Sequence, residues 1–407
     1  MPVMKRAVAM VMGEPYRLLF PMGMLAGIWG VMMWPIFYGG HLAFYPNEAH
    51  ARMMTAGFMG AFVAGFLGTA FPRLTGGRTW TVLEMILIPG CWLAMVAAWS
   101  RGMVRAGDGL FVAMVLSLLT GMAARGLRGR RDIPPPGFVL VFAGLSGAAL
   151  AALWLASGRF VSVELWRFAR LWYFQGFLLL PMMGIGPFLL PRFFGMPSGH
   201  SFDTATSPPP GWWTRCLLSS AAGLCVIASF ALEAWGWPMA GQLSRAVVVL
   251  VWFAVETPVF RKVMQRTTPG TAVRWSIVSM VAGLVCAAVW PLARIGSLHL
   301  FFVSGLGLVT MAVGTRVILG HAGHHDLLGG KIVWLRWVIG LAILAAATRM
   351  TSDFIPAVRI SHHNYAAWSW AAAALVWLLA LGKHLFADES EPKPRKACPR
   401  KKRRAGC

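Results

Sequence analysis

The tenth of twelve apolar runs reads Leu298-His-Leu-Phe-Phe-Val-Ser-Gly-Leu-Gly-Leu-Val-Thr-Met-Ala-Val-Gly-Thr-Arg-Val-Ile-Leu319, and runs of this kind decide the fold. A helix needs about 20 mostly apolar residues to cross the hydrocarbon core of a bilayer. Backbone in lipid must satisfy its hydrogen bonds internally, so each run predicts a membrane-spanning α-helix. The predicted spans are Leu18–Phe37, Ala51–Phe71, Thr81–Trp99, Leu110–Ala124, Phe138–Ala156, Leu171–Leu190, Cys216–Trp235, Ala246–Val259, Trp275–Leu292, Leu298–Leu319, Val333–Met350 and Ala366–Phe386. The sequence therefore predicts an all-α integral membrane protein with about twelve helices in one bundle.

Composition points the same way. Apolar residues make up 57% of the 407 residues, charged residues only 13%, and the mean hydropathy is +0.64. Soluble domains carry about 25% charged residues, so this composition argues against a soluble globule, a disordered chain or a nucleic-acid-binding domain. The six cysteines include no C-x-x-C pair. Those inside apolar runs are expected to be small core residues.

The net charge of +23 arises from an uneven distribution of cations between the two sides of the predicted bundle. With both ends in the cytoplasm, the inside segments hold 27 of the 37 Lys and Arg residues and the outside segments hold 10. Without the C-terminal tail the inside segments still hold 18. Because cytoplasmic loops of membrane proteins carry the excess of cations, we predict that both termini are cytoplasmic.

Two segments outside the predicted helices suggest how the chain is organised. A loop at Thr204–Gly211 contains three prolines and separates two halves of six helices, which meet near 200–211. Residues 387–407 form a polar, strongly basic segment, which we interpret as a disordered cytoplasmic tail lying on anionic lipid. The prediction is therefore one transmembrane domain over residues 1–386, followed by this tail.

Acidic residues are rare in the predicted spans. Only Glu84, Glu233 and Glu256 fall inside them, all near helix ends. Intramembrane charge normally marks ion pathways, so the absence of an acid at mid-depth weakens the case for a proton- or sodium-coupled pump.

Histidines, in contrast, gather at helix ends, and neutral imidazole binds haem iron, copper and zinc. His50 and His299 lie at the predicted outer face, as do three further candidates, His41, His362 and His363. His321 lies at the inner end of the tenth helix, close to His324 and His325. At 1.5 Å per residue, His299 and His321 are about 33 Å apart and cannot serve one centre. The alternative is that all of these histidines are polar residues at the membrane interface that bind no metal.

Two long motifs resemble the NnrS family. His50-Ala-Arg-Met-Met-Thr-Ala-Gly-Phe-Met-Gly-Ala-Phe-Val-Ala-Gly-Phe-Leu-Gly-Thr-Ala-Phe-Pro-Arg-Leu-Thr-Gly76 resembles the family's second-helix signature, HAHEMxxGFxxAxxAGFLLTAxPxWTG. The stretch from His299 to Gly323 resembles a helix that begins with His and ends in SRVALGHTG. Arg52 and Met53 stand where the first motif has its second His and its Glu.

The resemblance implies a twelve-helix bacterial inner-membrane protein that contains haem, of the b type, and copper. It also implies a role in nitric oxide metabolism, denitrification or nitrosative-stress tolerance. By position, His50 and His299 are expected to be ligands near the outer face and His321 a ligand of a second metal. The same comparison places Arg52 and Arg316 among the cofactor-binding residues, with Arg52 able to neutralise a haem propionate or a bound anion.

The leading hypothesis from the sequence is thus a haem and copper protein that binds, senses or transforms NO, with membrane lipid as its surroundings, no nucleic acid partner and an unidentified redox partner. Whether it is an enzyme stays open. Two alternatives have no metal centre: a small-solute transporter or exporter, and a membrane scaffold or assembly factor.

Overall fold

The apolar runs fold into helices, most of which begin several residues before the run does. The computed structural model describes residues 9–261 and 266–387, and within them there is no β-strand. Among these described residues, twelve helices are long and apolar enough to cross a membrane. They are α1 Tyr16–Tyr38, α2 Asn47–Thr75, α3 Val82–Ser100, α4 Val104–Leu127, α5 Phe138–Ser157, α6 Val163–Phe194, α7 Trp212–Ala234, α8 Pro238–Glu256, α9 Thr268–Val289, α10 Pro291–His321, α11 Val333–Phe354 and α12 Pro356–Gly382. The predicted all-α architecture is confirmed, and the chain is a multi-pass membrane protein.

Several helix bounds differ from those predicted, most of all at the start of α12, and α4 and α8 show the causes. The apolar run of α4 stops at polar residues, but its helix starts six residues earlier, at Val104. Helix α8 starts at Pro238, which suits a first helical turn, and ends at Glu256, before Pro258. An apolar run marks only the part of a helix in hydrocarbon, whereas the backbone bonding continues into the interface.

The longer helices correct the count of acids within the spans. Besides the three expected acids, the spans include Glu48, Asp108, Glu164 and Asp353. All four lie near an end of their helix. Asp108 is almost completely buried at 1% exposure.

Helices α2, α6 and α10 form the centre of the bundle. Their apolar windows are 78%, 72% and 67% buried, more than those of the other nine spans. Helix α1 packs against α2 and α12, and α10 packs against α9 and α11. The interior between these helices is therefore enclosed by protein and not by lipid.

The same three helices contain π-helical segments, at Met53–Met59 in α2, Trp172–Gly176 in α6 and Leu300–Gly307 in α10. A π-helical turn disturbs the usual backbone bonding and is common at functional sites. In α2 the carbonyl of Gly57 accepts a hydrogen bond of 2.9 Å from the Trp92 indole. Side chains from neighbouring helices thus help to satisfy the altered backbone, as a membrane interior requires.

The sequence predicts a loop between two halves of the bundle and a basic C-terminal tail. Residues 195–211 connect α6 to α7, while the division into two halves stays a prediction. The predicted basic tail falls, beyond Ala387, outside the described residues.

Candidate functional site

The main candidate site is a cavity of about 290 Å³ at the end of the bundle where α1 finishes and α2 begins. We call it the histidine cavity. It is lined by parts of six helices, α1, α2, α6, α10, α11 and α12. Its imidazoles come from His50, His299 and His363, and all three π-helical segments contribute wall residues, Phe58, Phe174 and Val303 among them.

His50 and His299, the two residues predicted from the sequence, meet in this cavity. Nδ1 of His50 is 2.8 Å from the carbonyl oxygen of Gly30 in α1. Nδ1 of His299 is 2.7 Å from the carbonyl oxygen of Ile295, one turn earlier in α10. A carbonyl oxygen can only accept, so Nδ1 carries the proton in both rings and Nε2 keeps its lone pair. This is the arrangement in which a histidine binds a metal through Nε2.

His363 in α12 is the third imidazole. Its Nδ1 is 2.7 Å from the hydroxyl of Tyr38, and its Nε2 is buried without a hydrogen-bond partner among the described residues. A buried ring nitrogen without a partner is costly unless a ligand supplies one. Of the other candidates that the sequence left open, His362 instead contacts the Thr351 hydroxyl at 2.8 Å, and His41 is exposed and does not line the cavity.

Trp34 packs against two of these imidazole rings. Its indole makes edge-on contacts with His50 and His363, at centroid distances of 5.9 and 5.4 Å. A large rigid ring in this place restricts both imidazoles to a small range of orientations. Nothing in the sequence distinguishes Trp34 among the 20 tryptophans of the chain.

The NnrS family model, described as "NnrS protein", matches residues 10–388. The chain belongs to the NnrS family. No curated protein matches the chain closely enough to add to this. Membership supports a nitric-oxide-associated membrane protein, and NnrS proteins are generally linked to haem and copper.

The donor set of this NnrS protein fits haem better than an isolated metal ion. Haem iron needs only one or two axial protein ligands, and imidazole is a common one. The histidine cavity offers such ligands with protonated Nδ1 atoms and a largely apolar wall that includes Phe58, Phe302 and Trp370. In residues 9–261 and 266–387, no group of three His, Cys, Asp or Glu side chains is close enough to hold a metal ion. The described residues therefore do not form a copper site with three such ligands.

Three arginines also line the histidine cavity. Arg170, Arg294 and Arg349 come from α6, α10 and α11. Each already pairs with a carboxylate of the protein, Glu48, Glu233 and Asp353 respectively. A guanidinium has five N–H donors, so each can also bond an acidic group of a ligand such as a haem. The sequence singled out none of the three as a site residue, because their meeting depends on how three separate helices pack.

Arg52 does not line the histidine cavity of this NnrS protein. It is 3% exposed, and its guanidinium makes bonds of 2.7 and 2.9 Å to the two carboxylate oxygens of Asp108. A third bond, of 2.5 Å, goes to Glu48. Arg52 is therefore engaged by two carboxylates of the protein itself.

Arg316 and His321 lie in the other half of α10, toward its C-terminal end. Arg316 lies over the ring of Phe193, 5.0 Å from its centroid. His321 stacks on Tyr16 at a centroid distance of 5.0 Å and contacts Arg73. The structure thus separates these two residues from His50 and His299, as helix length predicts.

The end of the molecule near His321 also carries a charged cluster around Glu14. Its carboxylate pairs with Arg17 at 2.5 Å and also contacts Arg73. Burial raises the pKa of Glu14, but the charges of His321, Arg17 and Arg73 outweigh it and lower the pKa below its usual value.

Proposed function

We propose that this NnrS protein is a haem protein of the bacterial cytoplasmic membrane that binds nitric oxide in the histidine cavity. The observation that carries the proposal is the meeting of His50, His299 and His363 in one cavity. Two of them have Nδ1 bonded to a carbonyl, and within residues 9–261 and 266–387 no hydrogen bond occupies their Nε2 atoms. This arrangement supports metal ligation better than an interfacial role, which needs neither convergence nor a fixed tautomer.

Different residues of the cavity would hold different parts of a haem. His50 and His299 would supply the imidazole nitrogens that hold the iron, each oriented by its backbone partner. Arg170, Arg294 and Arg349, each also paired with a protein carboxylate, would lie at the acidic groups of the haem. When bound, haem iron would supply the metal that coordinates NO, in place of one of the two imidazoles. The largely apolar wall would favour a small apolar ligand in the cavity.

A second, smaller cavity supports the choice of an apolar ligand. It has a volume of about 110 Å³, lies between α2, α6 and α10, and is walled almost entirely by apolar side chains such as Phe62, Leu178 and Val309. Met59 lines both cavities. An apolar cavity next to the histidine cavity would suit NO, which dissolves in the bilayer, better than a polar solute.

The experiment is a visible spectrum and iron content for purified wild-type protein and its variants. His50→Ala and His299→Ala should remove or convert the haem spectrum, because each deletes an imidazole expected to hold the iron. His321→Ala should spare it, because that ring lies at the far end of α10. His362→Ala is the matched control, since it removes the neighbouring imidazole that does not line the cavity.

Two results would contradict the proposal. A wild-type protein that is colourless and free of metal after expression with ample iron and haem would favour the transporter or scaffold alternatives. Unchanged spectra and iron content in both His50→Ala and His299→Ala would show that these histidines are interfacial polar residues only.

A further inference from the structure

A cavity of about 490 Å³ lies beside the histidine cavity, between the ends of α2, α4, α5 and α6. We call it the arginine cavity. Its charged wall residues are Glu48, Arg52, Arg105, Asp108, Arg159 and Arg170. Arg170 lines both cavities.

Two of its four arginines are neutralised by the protein. Arg52 is held by Asp108, and Arg170 makes a 2.6 Å bond to Glu48. Among residues 9–261 and 266–387, no carboxylate pairs with Arg105 or with Arg159. The cavity therefore carries two positive charges in excess.

The clustering of these cations is unusual for this end of the molecule. By the topology counted from the sequence, the segments at this end hold 10 of the 37 Lys and Arg residues. Four of those ten line the arginine cavity. Repulsion between like charges opposes such a concentration, so a bound anion would stabilise it.

The wall of the arginine cavity is partly preformed. The Arg105 guanidinium packs so closely on Gly158 that a Cβ atom there would lie 2.6 Å from its central carbon. Gly158 has φ +68°, a conformation that favours glycine. Arg170 lies over the Trp166 ring at 4.6 Å from its centroid. These contacts direct two guanidinium groups before any ligand arrives.

We propose that the arginine cavity is a binding site for an oxyanion, held mainly by Arg105 and Arg159. Planar guanidinium groups match the oxygens of nitrite, phosphate and phosphate esters. The ligand is either a small free oxyanion or the phosphate of a lipid headgroup, for which the apolar wall of Trp154, Leu155 and Phe160 would hold the adjoining chain. The site does not depend on a metal in the neighbouring cavity.

The experiment measures binding to full-length protein in detergent and in lipid nanodiscs. Titration calorimetry with sodium nitrite and with inorganic phosphate tests the free anion, and native mass spectrometry with phosphatidylglycerol against phosphatidylcholine tests the headgroup. The test variant is Arg105→Gln/Arg159→Gln. The control is Arg101→Gln/Arg167→Gln, which removes the same charge from exposed arginines at the same end that do not line the cavity.

We expect at least one probe to bind wild-type protein saturably, with affinity at least tenfold lower in the test variant and within twofold of wild type in the control. Saturation by nitrite or phosphate identifies a free anion, and retention of phosphatidylglycerol alone identifies a headgroup site. The single variant Arg159→Gln, at an exposed loop position, replaces the double variant if the latter does not fold.

The proposal is overturned if no probe saturates, if the test variant binds like wild type, or if both double variants lose affinity equally. The last result would mean that overall charge and not the cavity attracts anions. Each measurement is repeated on metal-free protein, so a failure of haem binding leaves this test intact.

Discussion

Replacing one partner of the Arg52–Asp108 pair is expected to destabilise the folded protein strongly. The pair has two parallel bonds of 2.7 and 2.9 Å, and the two residues are 3% and 1% exposed. Tyr173 adds a bond of 3.1 Å from its hydroxyl to the same carboxylate. The partner that remains, Asp108 in Arg52→Met or Arg52 in Asp108→Leu, is almost completely buried.

The size of the effect follows from burial and from the remaining partners. Removing one member of a buried ion pair typically costs about 3–5 kcal/mol, because the other charge stays buried without compensation. Arg52 would keep its 2.5 Å bond to Glu48, so the lower limit applies. We expect each single substitution to lower the free energy of unfolding by about 3 kcal/mol, roughly a hundredfold in the folding equilibrium.

The double variant Arg52→Met/Asp108→Leu removes both charges together. Its loss of stability should be smaller than the sum of the two single losses. The difference should be about 2 kcal/mol or more, since no unpaired buried charge remains. The assay is reversible unfolding of detergent-solubilised protein, followed by tryptophan fluorescence. Arg101→Met, at an exposed position at the same end, is the control and should change stability by less than about 0.5 kcal/mol.

Additive losses within about 0.5 kcal/mol would refute the reasoning, because residues that are coupled directly do not behave additively. A loss below about 1 kcal/mol in both single variants would also refute it, since a buried pair should cost more. The haem content per folded molecule of each variant is a second measurement. It should stay close to that of the wild type, because Arg52 does not line the histidine cavity.

Four further predictions address other parts of the chain. A reporter active only in the periplasm should be inactive when fused after Cys407, and the opposite result in correctly inserted protein would reverse the predicted orientation. Truncation after Ala387 should leave bound cofactor per mole unchanged, because it keeps the carbonyls of Leu385 and Ala387 that Arg17 contacts; loss of cofactor from folded truncated protein would contradict this. Glu14 has a lowered pKa, so its stabilising effect should be complete above its usual value of 4.5 and be lost as the pH falls through the lowered value; a Glu14→Gln variant with an unaltered acid-unfolding profile would disprove it. Metal analysis of purified protein should find copper well below one atom per chain, since Arg52 and Met53 replace two potential ligands of the family motif, and stoichiometric copper would contradict that expectation.

Length and apolarity alone are sufficient to determine the twelve helices and the depth of the main histidines. A helix rises by a fixed 1.5 Å per residue, so the position of His50 and His299 near one end of their helices and of His321 near the other follows from counting. The motifs around His50 and His299 are also sufficient to indicate the family. Helix ends are harder to place, because Asp108 and Glu48 lie in helical turns that an apolar pattern does not reveal.

Only the tertiary structure decided which side chains meet. His363 and the equally plausible His362 are adjacent in sequence, but successive helical residues point about 100° apart, and only His363 faces the cavity. Arg52 matched a ligand position of the family motif, yet the start of α4 brings Asp108 within hydrogen-bond distance of it. The arginine cavity is built from four helices and the turns at their ends, which contribute one or two charges each. No pattern along a single helix carries that information, because each side chain acquires its partner only when separate helices pack.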